Sequence, residues 1–170
     1  MADKYLELVN TGFTKNLAKT LGLPRPSILR RHTPGAPLVP GPVLLLGNSP
    51  ASQGLSDTML GWGLDVRRHA VGEGKIGAII LMLDNVAEPG ELSEPMLAAG
   101  HALRQLAPGG RVVSFSRPAG GTDAPAQAAA RQGIDGAVRS LGRELRGGAT
   151  ANGVVLGERV DATAPSALAA

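Results

Sequence analysis

Residues 76–83 read IGAIILML, and the polar pair Asp84-Asn85 follows directly. The run is apolar without alternation, which is typical of a strand buried on both faces of a parallel sheet. Asp and Asn are turn formers, so the pair predicts the end of that strand. The fold is therefore expected to be built around this segment, with other elements covering both of its sides.

Other segments repeat the pattern more weakly. Shorter apolar runs at residues 43–46 (VLLL), 111–115 (RVVSF) and 153–156 (GVVL) predict three further strands, and residues 65–70 predict a weak one. Strands that alternate with helical segments indicate an α/β fold. We expect a doubly wound, mainly parallel Rossmann or flavodoxin-like sheet.

Two helices are predicted between the later strands. Ser93 is expected to cap a helix that carries Pro95 in its first turn and ends at Pro108-Gly109-Gly110. The longer helix covers residues 124–146 and is ended by Gly147-Gly148. Its apolar stripe consists of Ile134, Val138, Leu141 and Leu145.

The first 42 residues differ from the rest of the chain. Apolar residues recur at three- and four-residue steps up to Leu21, which predicts one or two short amphipathic helices. Six prolines lie between Pro24 and Pro42, so this stretch is predicted to be an extended connector. We therefore divide the chain into an N-terminal arm, residues 1–42, and a nucleotide-fold domain, residues 43–170.

Composition and charge narrow the classes of function. The 170 residues include 24 Gly and 13 Pro but no Cys, which excludes Cys-based zinc sites and thiol nucleophiles. Residues 1–40 carry six basic and two acidic side chains, whereas residues 41–170 carry eleven and twelve. The folded body is nearly neutral, lacks nucleic-acid-binding motifs and has no apolar run of membrane length. We expect a soluble, cytoplasmic protein with neither a nucleic-acid nor a membrane partner.

The loop after the first strand is the first candidate binding site. Gly47, Asn48, Ser49 and Gly54 lie where a nucleotide fold approaches its cofactor's phosphates, but Pro50 between them has no N–H. The favoured interpretation is a vestigial site. Arg67 and Arg68 follow the second strand, where they could accept a 2′-phosphate.

The other strand ends carry weaker signals. Asp84 and Glu88 lack a third metal ligand and are expected to close a turn and cap the next helix, so no metal site is predicted. Ser114 and Ser116 have no nearby histidine in the sequence. The three histidines are placed on the arm, in the weak strand and inside a helix: His32, His69 and His101.

Three stretches resemble a short-chain dehydrogenase/reductase: GPVLLLG (41–47), GGRVVSFS (109–116) and AAARQGIDGAVRSLGREL (128–145). In that family the last helix carries a Tyr-x-x-x-Lys pair that protonates the carbonyl and holds the cofactor ribose. Gln127 and Arg131 stand at the matching positions. Glutamine has no ionisable proton and arginine stays protonated, so neither role survives.

The arm adds a closer resemblance. LGLPRP (21–26), LRR (29–31) and Pro34-Gly35 resemble the N-terminal domain of high-molecular-weight 3-oxoacyl-acyl carrier protein reductases. There, a degenerate flavodoxin-like domain precedes a complete reductase domain that uses NADPH or NADH. The resemblance implies a pseudo-enzyme domain without a cofactor or catalytic residues of its own. It also implies a fragment, truncated where Pro165 would open a helix that does not follow.

The expected function is structural, pairing or regulatory support of an attached oxidoreductase domain in fatty acid biosynthesis. The expected assembly is a homodimer through residues 124–146, whose small face is formed by Ala128, Ala129, Gly133, Gly136 and Ala137. One alternative is a vestigial nucleotide- or flavin-binding domain. The other is an adaptor whose basic arm, with Arg30 and Arg31, binds an acidic acyl carrier protein.

Overall fold

The computed structural model describes residues 4–23, 26–29, 31, 33–69, 74–121 and 124–169. The chain divides into two compact units, residues 1–32 and 33–170. In the first unit, helix α1 (Lys4–Asn10) is followed by helix α2 (Gly12–Thr20). Thr11 joins them, and its hydroxyl donates to the Glu7 carbonyl at 2.6 Å. The predicted pair of short helices is confirmed.

The proline-rich connector has no regular structure among its described residues between positions 21 and 42. Its last residues belong to the second unit, where Val39 packs against the core. The Pro42 carbonyl accepts a hydrogen bond from the Gly77 N–H at 2.8 Å. The prediction of an extended connector is confirmed, and its end is held against the sheet.

The second unit is built on one sheet of five parallel strands. From one edge to the other the order is β2-β1-β3-β4-β5, which is the flavodoxin-like order and confirms the doubly wound α/β fold. The strands are β1 (Val43–Leu46), β2 (Val66–Arg67), β3 (Ile76–Met82), β4 (Leu106–Ser116) and β5 (Thr150–Val155).

Helices cover both faces of this sheet. One face packs against α4 (Ser93–Ala102) and α5 (Pro125–Glu144), and the other against α3 (Ser52–Gly61) and α6 (Pro165–Leu168). Alternate residues of β3 enter the two cores because successive side chains of a strand point to opposite faces. None of the described helices has the length and apolar character that a membrane span requires.

Burial agrees with the predicted pattern in the centre of the sheet and departs from it at one edge. All four residues of β1 and all but one of β3 are buried. The run at 153–156 was expected to be buried as well, yet Val155 in β5 is 62% exposed and only Leu156 is buried. The difference arises because β5 is an end strand of the sheet.

The helix predicted from Ser93 to Pro108-Gly109-Gly110 is wrong at both ends. It ends at Ala102, and after one 3-10 turn the chain enters β4 at Leu106, which pairs with Ile76. The register then shifts, so that Ala78 pairs with Arg111 and residues 107–110 form a bulge. Ser93 is not a cap, because a 3-10 turn (Pro89–Leu92) precedes it and runs into the helix.

Smaller differences concern other element ends. The weak strand predicted at 65–70 is reduced to Val66–Arg67. The long helix lies inside its predicted bounds, and Gly147 and Gly148 turn the chain after it with φ values of +65° and +75°. Contrary to expectation, Pro165 does open a helix, the single turn α6, and Ala167 in it is buried.

Candidate functional site

The carboxyl edge of the sheet offers a switch point between β1 and β3. The chain leaves β1 for β2 on one side, whereas β3 lies on the other, and in doubly wound sheets ligands bind at such a point. Two clefts of about 330 and 400 Å³ meet there. They share Gly47, Asn48 and Glu94.

The loop after β1 uses its own hydrogen-bond donors. The N–H of Ser49 donates to the Ser52 hydroxyl at 3.3 Å, and the N–H of Ala51 donates to the Ser49 hydroxyl at 3.1 Å. The N–H of Ser52 donates to the Ser49 carbonyl at 3.0 Å, and Pro50 has no N–H. A phosphate cradle needs such groups free and pointing at the ligand, so positions 49–52 do not form one.

Gly47 has a packing role in this loop. Its φ is +95°, and a Cβ built on it would lie 2.2 Å from the Met82 carbonyl oxygen. Glycine is therefore required by the close approach of the loop to the end of β3. The same residue would be needed whether or not a nucleotide bound.

Gly54 does not lie in the loop but in the first turn of α3. A Cβ there would lie 3.2 Å from Cγ2 of Thr163, in the segment that covers this face of the sheet. The second glycine of the expected cofactor loop thus also accommodates a close neighbour within the protein.

The 400 Å³ cleft carries the cationic side chains of the site. Arg68 and His69, which follow β2, line it together with His101 and Glu94 of α4. All four are exposed. The sequence analysis had assigned no role to His101, although positions 94, 98 and 101 fall on one helical face and this spacing could have shown it.

Arg67 is directed elsewhere. Its guanidinium pairs with Asp65 at 2.6 Å on the surface. The hydrogen bond between them lowers the pKa of Asp65 below its ordinary value and raises the pKa of Arg67. Of the two arginines predicted to meet a 2′-phosphate, only Arg68 lines the cleft beside Gly47.

The 330 Å³ cleft is acidic. Glu91 and Glu94 line it together with Asn85. One carboxylate oxygen of Glu91 accepts hydrogen bonds from the N–H groups of Ala87 at 2.7 Å and Glu88 at 3.4 Å, which closes the turn before α4. Two carboxylates disfavour a phosphate here by like-charge repulsion.

Asp84 and Glu88, the predicted turn residues, stand on either side of that turn. One carboxylate oxygen of Asp84 is buried with no hydrogen-bond partner in the described part of the chain. Within the same described ranges, no group of three His, Asp or Glu side chains could hold a metal ion.

A third cleft, of about 420 Å³, lies at the carboxyl ends of β4 and β5 under α5. Ser114 and Ser116 from β4 line it together with Arg117 and Arg131. Both serines are buried. The sequence analysis had considered these two hydroxyls only in relation to histidines, and none of the lining residues is a histidine.

The two positions that match the Tyr-x-x-x-Lys pair lie on the first two turns of α5. Gln127 is half-buried and Arg131 lines the third cleft. An Arg131 N–H donates to the Pro118 carbonyl at 3.3 Å. Gln127 is not among the residues that line that cleft. Arg30 and His32 of the arm lie outside the described residues, and Arg31 is exposed.

Comparison with known proteins adds no family. No protein-family model matches the chain, and no curated protein matches it either. The resemblance to the reductase N-terminal domain therefore stays a prediction.

Proposed function

We propose that this chain is a non-catalytic domain that supports, pairs or regulates a nicotinamide-dependent 3-oxoacyl-thioester reductase of fatty-acid metabolism. The observation that carries the proposal is the loop after β1, whose N–H groups at positions 49, 51 and 52 bond within the loop itself. A doubly wound sheet that keeps its architecture while using up its phosphate donors is suited to a supporting role.

The α5 positions support the same proposal. A reductase of this kind needs a proton donor beside the carbonyl and a cation on the ribose, and Gln127 and Arg131 stand at the two positions. The Gln127 amide cannot supply an ionisable proton. The chemistry would then belong to an attached reductase domain that binds NADPH or NADH.

The test is a turnover assay on this chain alone. Incubation with NADPH or NADH and an acetoacetyl thioester should give no oxidation of the cofactor above buffer. A complete short-chain reductase assayed in parallel serves as the positive control. Turnover that scales with the concentration of this chain would contradict the proposal.

A second candidate, a vestigial nucleotide or flavin site, is favoured by one observation. Arg68, His69 and His101 line the 400 Å³ cleft that begins at Gly47. Calorimetric titration with NADPH, NADH and FMN tests it. Binding that weakens roughly tenfold in Arg68→Gln, as expected for a lost charged hydrogen bond, but not in Arg67→Gln, would favour this candidate over a purely supporting domain.

A further inference from the structure

We propose that the third cleft, between α5 and the ends of β4 and β5, binds a small organic carboxylate with a short apolar chain. This goes beyond the proposed supporting function, which requires no ligand. The cleft has a volume of about 420 Å³, within the usual size range of small-molecule sites.

A buried hydroxyl marks the inner end of the cleft. Ser114 is completely buried, and its Oγ has no hydrogen-bond partner among the residues that the structure describes. Leaving a buried hydroxyl unsatisfied costs roughly 1–3 kcal/mol, so such a group is a candidate for bonding a ligand oxygen. Strand alternation places Ser114 and Ser116 on the face that α5 covers, and both line the cleft.

Two guanidinium groups make the cleft positive. Arg131 is half-buried and is anchored by its hydrogen bond to the Pro118 carbonyl, while Arg117 donates to the Gly157 carbonyl and also lies close enough to Asp161 to lower the pKa of that carboxyl. Asp135, the carboxylate in the lining, is paired with Arg139 at 2.8 Å. Arginine matches a carboxylate by its planar fork of donors.

The remaining walls are apolar and open. Ile134, Val138 and Val155 line the cleft, which favours a hydrocarbon chain attached to the anionic group. Gly153 leaves room beside the hydroxyl, because a Cβ there would lie 3.4 Å from Ser114 Oγ. A carboxylate at Ser114 and Arg131 with its chain along these walls would use every part of the lining.

The experiment is an NMR titration of the full chain with pentanoate, with pentan-1-ol and inorganic phosphate as comparison probes. We expect saturable shifts confined to the cleft residues with pentanoate and tighter binding than with either comparison probe. Equal affinity for pentan-1-ol would overturn the anionic part of the proposal. Equal affinity for phosphate would overturn the apolar part, and shifts elsewhere or none at all would overturn both.

Variants locate the site independently. Arg131→Gln should weaken pentanoate binding roughly tenfold or more and Ser114→Ala roughly threefold or more, whereas Arg143→Gln, on the same helix but outside the cleft, should leave it within about twofold. Gly153→Leu should fill the cleft and abolish binding. Equal losses in Arg131→Gln and Arg143→Gln would overturn the proposal. If Arg131→Gln does not fold, Ser114→Ala and intermolecular contacts in the wild-type complex decide the question.

Discussion

At the scale of single residues, the glycines of this fold are explained by close backbone packing. Gly47 and the end of β3 approach so closely that any Cβ would overlap a carbonyl. In the middle of the sheet, a Cβ on Gly77 would lie 2.4 Å from the Gly41 carbonyl oxygen. A glycine at the end of a strand is thus ambiguous in sequence, because close packing and phosphate binding require the same residue.

Replacing Gly47 by alanine should be strongly destabilising. The substitution combines a positive φ with an overlap against Met82, so we expect the free energy of unfolding to fall by about 3 kcal/mol or more. Gly63→Ala is the matched control, since Gly63 has a φ of +74° but open space around it, and should cost about 1 kcal/mol. Urea denaturation measures both, and equal losses would contradict the packing argument.

Asp161 should make the stability of the protein depend on acid pH. Its pKa is lowered first by the hydrogen bond from the Thr163 hydroxyl at 2.6 Å, then by the Thr163 N–H. Because the folded pKa lies below the unfolded one, the contribution is present above the unfolded pKa of about 4 and is lost as pH falls through the folded pKa.

Thr163→Val tests this dependence. The variant should raise the pKa of Asp161 and reduce the acid-dependent loss of stability, because the larger of the two hydrogen bonds is removed. Thr163→Ser keeps the hydroxyl and should keep the low pKa. Carboxyl carbon-13 shifts followed against pH measure the effect, and the same pKa in both variants would count against it.

At the scale of elements, the predictions succeed where burial is symmetric. β1 and β3 are flanked by strands and covered on both faces, so their apolar runs identified them directly. β5 has a neighbour on one side, and its sequence does not show that it lies at the edge. The start of β4 was read as helix because Pro108-Gly109-Gly110 normally ends one, whereas here these residues form a bulge inside a strand.

The long helix α5 is the expected pairing surface, and its small residues face open space. Ala129, Gly133 and Gly136 are exposed, and a Cβ on Gly136 would have no neighbour within 4 Å. We predict that Gly136→Glu leaves the fold intact but weakens self-association at least about tenfold by placing a bulky charge at a close helix contact. Sedimentation equilibrium measures the effect.

Gly100→Glu is the control for this prediction. Gly100 is also an exposed helical glycine with open space around it, but it lies on α4. A wild-type chain that is monomeric at high concentration, or equal effects of the two substitutions, would remove α5 as the pairing surface.

At the scale of the whole molecule, one sheet separates two cores that share the same central strand. Ile79 of β3 is completely buried in the core under α4 and α5, and Met82 is buried in the opposite one. The sheet layers and their order could be predicted from the alternation of strands and helices. The clefts could not, because each joins residues from three or more distant segments, as Ser114, Arg131 and Gly153 do.

Truncation of Ile79 should therefore destabilise the whole second unit. Ile79→Ala is expected to cost about 2–5 kcal/mol, because it leaves a cavity in a closely packed interior. Leu97→Ala removes an aliphatic side chain that is 65% exposed and should change stability by less than about 0.5 kcal/mol. Chemical denaturation gives both values, and a loss from Ile79→Ala as small as that from Leu97→Ala would contradict the assignment of the core.

The parallel sheet has a consequence for how fast the chain can fold. Leu44 pairs with Ile79, Ile79 with Val112, and Val113 with Asn152, so each of these contacts closes a loop of more than thirty residues before it is formed. Folding rates fall as contacts become less local, which places this domain among the slow folders. While those loops are still open, the apolar segments of β1 and β3 are exposed to other chains, and refolding yield should decline as protein concentration rises.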